Sequence, residues 1–237
     1  MNMNMNIKEA LTRYTLRKKI IAHMKAKKWK LIGEGAFAVV FTSPDKKKVI
    51  KVIAPDPEFL WGSQPAAGPV DQDEPYTYEK QESERLQGAW LKFIDKNKKS
   101  PHLPKFFKTK TETVTDRKSK VKIVMYEMEV LTRLPQELEY LAEDLVEAAN
   151  PYIGATIANR EKQLRKVWRR WGIKLKDKPG HPKNEMEFIK KYTPFYNIVF
   201  KMVKSMPAMS DLDLHSANMM MRGDTLVITD PWMPAMG

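Results

Sequence analysis

Between Trp29 and Ala54 the chain reads WKLIGEGAFAVVFTSPDKKKVIKVIA, with apolar positions alternating around a glycine pair and a polar SPDKKK stretch. Alternation with period two marks strands, and Gly- or Asp-rich breaks mark the turns that join them. This segment therefore predicts strand, Gly turn, strand, polar turn and a third strand. Ahead of it, helical spacing runs through Ile7, Leu11 and Tyr14 and resumes at Ile21 and Met24. Behind it, PDPEFLWGSQPAAGPVDQDEP is a Pro/Gly-rich insertion, and YTYEKQESERLQGAWLKFIDKNKK has the pattern of a helix. HLPKFFKTKTETVTDRKSKVKIVMYEMEVL then reads as two strands around a charged hairpin turn.

From LPQELEYLAEDLVEAAN onward the pattern is mainly helical. QLRKVWRRW puts Leu164, Val167, Trp168 and Trp171 on one face and Arg165, Lys166, Arg169 and Arg170 on the other. Thr193 is placed to cap a helix that starts at Pro194 and buries Tyr196, Val199, Val203 and Met206. The expected organisation is an N-terminal helical extension (1–28), a strand-rich lobe carrying one helix (29–131) and a helical lobe (132–237). No internal repeat is present. A small β-rich lobe followed by a helical one is the order of a two-lobed nucleotide-binding enzyme.

Composition narrows the picture. The chain has 237 residues, 42% hydrophobic, with six Trp, and is long enough for two small lobes. It has no cysteine, which excludes disulfides, thiolate zinc sites and a Cys nucleophile and fits a reducing compartment. No signal-peptide core and no membrane-spanning apolar run is seen, so a soluble, intracellular protein is expected. The net charge of +13 implies attraction to something acidic: nucleic acid, a nucleotide or an acidic protein surface. The densest basic stretch, Arg160 to Lys178, also fits a plain solvated helix face.

The candidate chemistry lies at both ends. Gly33 and Gly35 sit between two strands, where their N–H groups could approach phosphate; two glycines in a hairpin also make an ordinary tight turn. Lys51, in VIKVI, points to the opposite face from Ile50 and Val52 and could neutralise phosphate charge, or be a simple edge lysine. Near the other end, SDLDLHSANMMMRGDTLVITDPW holds Asp213, Asn218 and Asp230. Phosphoryl transfer needs magnesium, a carboxylate near the attacking hydroxyl, and alignment. Asn218 and Asp230 would supply hard oxygen ligands and Asp213 would orient or accept the hydroxyl proton. Each alone could be a turn or capping residue; the ordered set points to phosphoryl transfer.

The succession GEGAFAVVF, VIKV, DLHSAN, ITDP resembles the protein-kinase signature set. It is most similar to the early serine/threonine protein kinases of T-seven-like podophages (autographiviruses), over about Trp29 to Pro231. That resemblance implies an α+β, two-lobed protein-kinase-like fold with a small β-rich N-lobe and a truncated helical C-lobe. It implies ATP and Mg2+ as cofactors, with Gly33 and Gly35 in the phosphate-covering loop and Lys51 on the α/β-phosphates. Asp213 would be the catalytic base, and Asn218 and Asp230 the metal ligands. A helix carboxylate would pair with Lys51, from among Glu79, Glu82 and Glu84, with Glu84 favoured. The VMYEMEV strand would be the hinge, with Glu127, Met128 and Glu129 offering backbone groups to adenine. All four late and early groups would meet on one triphosphate.

Several positions depart from the kinase pattern. Asp211 replaces the usual His of His-Arg-Asp, and His215 stands two residues after the base, where it would touch the γ-phosphate or pack structurally. Pro231 and Trp232 replace Phe-Gly, and a fixed φ disfavours the flip of regulated kinases. Seven residues follow Asp230, leaving no room for an activation loop or peptide-binding helices, and no host shut-off region is expected. The expected function is phosphorylation of host proteins, including transcription and translation machinery, in the host cell cytoplasm during early infection. Two alternatives stay open: a kinase-shaped protein that inhibits host RNA polymerase or binds RNA through its basic surface, and a small-molecule phosphotransferase, suggested by His215.

Overall fold

The structure is a computed structural model that describes residues 17–35, 38–53, 74–116, 119–176, 180–208 and 210–234. The expected helical spacing at Ile7, Leu11 and Tyr14, most of the Pro/Gly-rich insertion and the side chain of Glu79 lie outside the described residues. The protein is mixed α+β, with a five-stranded antiparallel sheet and five α-helices among the described residues. They divide into two compact units. One runs up to Gln87 and includes Lys105–Val130; the other joins Gly88–Pro104 to the chain from Leu131 on.

In the first unit, helix α1 (17–26) precedes β1 (Lys30–Glu34), β2 (Ala38–Thr42) and β3 (Lys48–Ile53). Helix α2 (Glu74–Lys96), whose second half belongs to the other unit, leads to β4 (Phe106–Asp116) and β5 (Ser119–Glu129). The sheet order is β1-β2-β3-β5-β4. Alternation separates its two faces. Val39, Phe41, Ile50, Val52, Ile123 and Met125 turn to one side and, with Ile20 and Met24 of α1, form a dry core. At about 1.5–3 kcal/mol per large apolar side chain buried, this cluster is what holds α1 on the sheet. The helix is thus part of the unit rather than a separate extension. His23 and Lys27 anchor it further on Glu112 of β4.

The second unit is built on α3 (Gln136–Ala149), α4 (Arg160–Leu175) and α5 (Glu185–Lys204) around Leu141, Leu145, Leu164, Phe188, Phe195 and Val199. Trp90, Phe93, Ile94 and Leu103 bury into this same core, so residues 88–104 fold with the helices and not with the strands. On α4 the expected apolar face is the buried one, and the Trp168 ring lies so close over Gly172 that a Cβ there would meet it at 2.5 Å. Two of the four basic residues opposite are tied up: Arg165 with Glu185, Arg170 with Asp144 at 2.6 Å.

One boundary differs from expectation. The last helix starts at Glu185, not at Pro194. Asn184 caps it, accepting from the Glu187 N–H at 2.9 Å, while the Glu187 carboxylate accepts from the Lys183 N–H, a reciprocal capping arrangement. Pro194 lies inside the helix, where a missing N–H and a ring clash cost about 3 kcal/mol. Ten buried side chains along α5 outweigh that cost.

Two small ribbons complete the unit. The strands β6 (Thr132–Arg133), β8 (Met219–Arg222) and β9 (Thr225–Ile228) pair in the order β6-β8-β9, and β7 (Ser210–Leu212) pairs antiparallel with β10 (Trp232–Pro234). Gly223 makes the two-residue turn between β8 and β9 with φ +61°, a conformation that asks for glycine. No helix among the described residues is long and apolar enough to cross a membrane.

Candidate active site

Two strand pairings deliver the chemistry-bearing residues of the second unit to one place. The β7–β10 ribbon ends on both sides at polar residues, because Leu212 lies opposite Trp232 and the chain continues into Asp213 on one strand and comes from Asp230 and Pro231 on the other. The Asp213 N–H donates to the Pro231 carbonyl at 2.8 Å. The β8–β9 hairpin does the same from below: Met219 faces Ile228, which sets Asn218 beside Thr229. The Thr229 N–H and hydroxyl both donate to the Asn218 carbonyl, at 2.9 and 3.0 Å. Asp230 is therefore bracketed, its preceding residue held by Asn218 and its following residue by Asp213.

Side chains finish the loop. Asn218 donates through Nδ2 to the Asp213 carbonyl at 2.7 Å, which leaves its Oδ1 as the oxygen available to an outside partner. His215 Nδ1 accepts from the Ala217 N–H at 3.3 Å, so the neutral ring carries its hydrogen on Nε2, which donates to Asp213 Oδ1 at 3.1 Å. Its neighbour Asn218 Nδ2, at 3.3 Å from the same Nε2, is then a second donor and not a bonding partner. Glu143 of α3 accepts from the Ser216 N–H at 3.4 Å. Behind the loop, Trp90 Nε1 donates to the Thr229 carbonyl at 3.1 Å, and its ring meets Trp232 edge-on at 5.7 Å. Trp90, Glu143 and Thr229 were not singled out in the sequence. Only Thr229, wedged between an apolar strand and an Asp-Pro stop, carried a local signal.

A hydrated magnesium ion takes one or two protein carboxylates or amides and fills its remaining positions with water and phosphate, so an amide and a carboxylate are the right kind of donor for it. Asn218 and Asp230 are the donors that would hold it. Among the described residues no group of three or more His, Asp or Glu side chains is gathered as a self-sufficient metal site.

The first unit contributes a separate set. Lys51 in β3 lies opposite Val40 in β2 and Tyr126 in β5, on the face away from the α1 core. Burial pushes the Tyr126 hydroxyl up to about 12, and the Glu84 carboxylate adds to that rise. Glu84 of α2 is therefore electrostatically coupled to the residue directly across from Lys51, on that same sheet face. Glu82, the other described alternative, is engaged by Arg85 one turn along the helix. In the β1–β2 hairpin the Gly35 N–H donates to the Ala38 carbonyl at 2.9 Å, and buried Arg17 donates to the Gly35 carbonyl at 3.0 Å. Neither Gly33 nor Gly35 has positive φ, and a Cβ on either would meet its nearest atom at an ordinary 3.8 Å. Nothing in the hairpin itself requires glycine at these two positions.

Glu127 and Met128 need correction as donors of free backbone. Both lie inside β5 with a strand on either side, Glu127 between Ile50 and Lys108, Met128 between Val49 and Phe106. The Glu129 N–H is likewise spent on the Lys105 carbonyl at 3.1 Å. The first position past the ladder is Val130, 44% exposed. Glu127 has a different part. Its buried carboxylate takes Lys48 at 2.6 Å and Lys110 at 3.0 Å. The Lys48 ammonium, working against burial and joined by Lys110, holds that carboxyl below the ordinary range.

No protein-family model matches the chain, and no curated protein matches it.

Proposed function

We propose that this protein is an ATP- and magnesium-dependent serine/threonine protein kinase of a bacteriophage, built on a minimal protein-kinase-like fold and acting on host proteins in the host cytoplasm. The observation that carries the reading is the double tether of Asp230. Backbone bonds from Thr229 to Asn218 and from Asp213 to Pro231 gather an acid, an amide and a second acid in the order that phosphoryl transfer uses.

In this reading the oxygen of a substrate Ser or Thr forms a bond to the γ-phosphorus of ATP. The bond from that phosphorus to the β,γ-bridging oxygen breaks, ADP leaves, and the hydroxyl proton passes to the Asp213 carboxylate. His215 donates to Asp213 Oδ1, which leaves the other carboxylate oxygen to accept the hydroxyl proton. With both ring nitrogens engaged inside its own loop, His215 acts as a positioning residue rather than a phosphate contact. Asn218 Oδ1 and Asp230 would hold magnesium, which would supply charge neutralisation to the phosphate oxygens. Lys51, with Glu84 as its carboxylate partner, would neutralise phosphate charge, and the absence of side chains at Gly33 and Gly35 leaves the hairpin backbone open to close approach.

The test is purified protein with γ-labelled ATP, magnesium and a bacterial lysate. Label should enter host proteins, and Asp213→Ala and Asp230→Ala should each lower the rate about 10²- to 10⁴-fold, the usual share of a positioned proton acceptor. Equal labelling by the parent and both variants refutes the proposal.

A further inference from the structure

A recess of about 430 Å³ lies between the end of α2 and the middle of α5, entirely within the helical unit. Lys96, Lys98, Lys99 and Lys201 line it, against one carboxylate, Asp95. These four lysines are exposed and none forms an ion pair among the described residues. On α4, Arg165 and Arg170 have carboxylate partners, whereas among the described residues none of the four lysines around this recess does. Four uncompensated ammonium groups around one concavity repel one another, and only an anion relieves that.

Neutral donors point the same way. Asn197 Oδ1 accepts from Arg160 Nη1 at 2.9 Å, so its amide N–H groups are what it can offer a ligand, and the guanidinium adds positive charge behind it. Ser100 Oγ accepts from the His102 N–H at 3.3 Å, which leaves its own hydrogen free to donate. The apolar wall consists of Pro101, Pro194 and Ile198. Proline and isoleucine suit the aliphatic parts of a peptide. A nucleic acid strand would want aromatic platforms for its bases, and none lines this recess.

We infer that this recess is a docking site for an acidic segment of a partner protein rich in Asp and Glu, whose several carboxylates match lysines spread over two elements. It is separate from the Asp213 loop and would hold whether or not the chain transfers phosphate.

Binding is read by fluorescence anisotropy with the full chain, without nucleotide or magnesium. The probes are a labelled twelve-residue Asp/Glu-rich peptide, a phosphoserine peptide of equal length, and a single-stranded RNA twelve-mer. The Asp/Glu-rich peptide should bind, more weakly as salt rises, and more tightly than the phosphoserine peptide; the reverse order overturns the choice of occupant. Lys201→Gln alone should weaken binding about two- to fivefold, and Lys98→Gln, Lys99→Gln and Lys201→Gln together about ten- to a hundredfold. Lys166→Gln with Arg169→Gln, on α4, should leave it unchanged. All these positions are exposed, and an unaltered melting curve shows that each variant is folded. Absence of peptide binding, equal binding by the triple variant, or RNA binding more tightly with the same lysine dependence overturns the inference.

Discussion

Replacing Glu127 by Gln tests the assignment of that residue to the scaffold of the sheet. Its side chain is 2% exposed and ion-paired at 2.6 and 3.0 Å to lysines that are 46% and 40% exposed. A hydrogen bond to a charged group contributes roughly 1.5–3 kcal/mol net, and half-exposed lysines keep only part of that because water screens them. Glutamine retains one acceptor oxygen but turns an amide N–H2 toward an ammonium. The loss should come to about 2 kcal/mol at neutral pH. Its pH dependence is fixed in sign. Lys48 first, then Lys110, hold the folded carboxyl below its unfolded value. The stabilisation is therefore fully present above the ordinary carboxyl pKa of about 4.3 and fades as pH falls through the lower folded value. Urea denaturation of parent and variant at pH 7 and at steps down to pH 3.5 should show a gap that narrows below about pH 4.3. A gap under about 0.5 kcal/mol at neutral pH, or one indifferent to pH, would refute the reasoning. KM for ATP should not change, since Glu127 lies between paired strands.

His215→Ala should lower kcat about tenfold while KM for ATP stays put, because the ring orients Asp213 without touching nucleotide; a rise in KM with constant kcat contradicts this. Thr229→Val keeps the N–H tether to Asn218 but removes the hydroxyl one, and should cost about 1 kcal/mol in denaturant titration. Pro194→Ala restores a donor inside α5 and relieves the ring clash, worth about 3 kcal/mol, less about 1 for a freer unfolded chain. Denaturation should thus show a net gain of about 2 kcal/mol.

The strands were legible where the pattern was local. The β1–β2–β3 meander and the β4–β5 hairpin follow from alternation and turn chemistry within a few residues, and the acid-amide-acid order near the end could be read directly. Long-range partners could not. In VMYEMEV, Glu127 reads as an outward polar residue, and only the register against Lys48 and Lys110, 79 and 17 positions away in the sequence, makes it a buried ion-pair centre. Residues 88–104, the end of α2 and the turns after it, were attached to the strands by sequence proximity, while Trp90 and Phe93 follow the larger apolar core. At Pro194, a rule that favours proline in a first turn misled, because Asn184 and Glu187, ten and seven residues earlier, already formed a start.

The loop around Asp230 is stitched in part by main-chain amides and carbonyls and a threonine hydroxyl, bonds that need no acidic side chain. Shape and reactivity are thereby uncoupled. Those main-chain bonds survive when the acid at 213 or 230 is exchanged for another group, so variants at either position ought to be obtainable as well-formed molecules, suited to testing the proposed phosphoryl transfer without loss of fold.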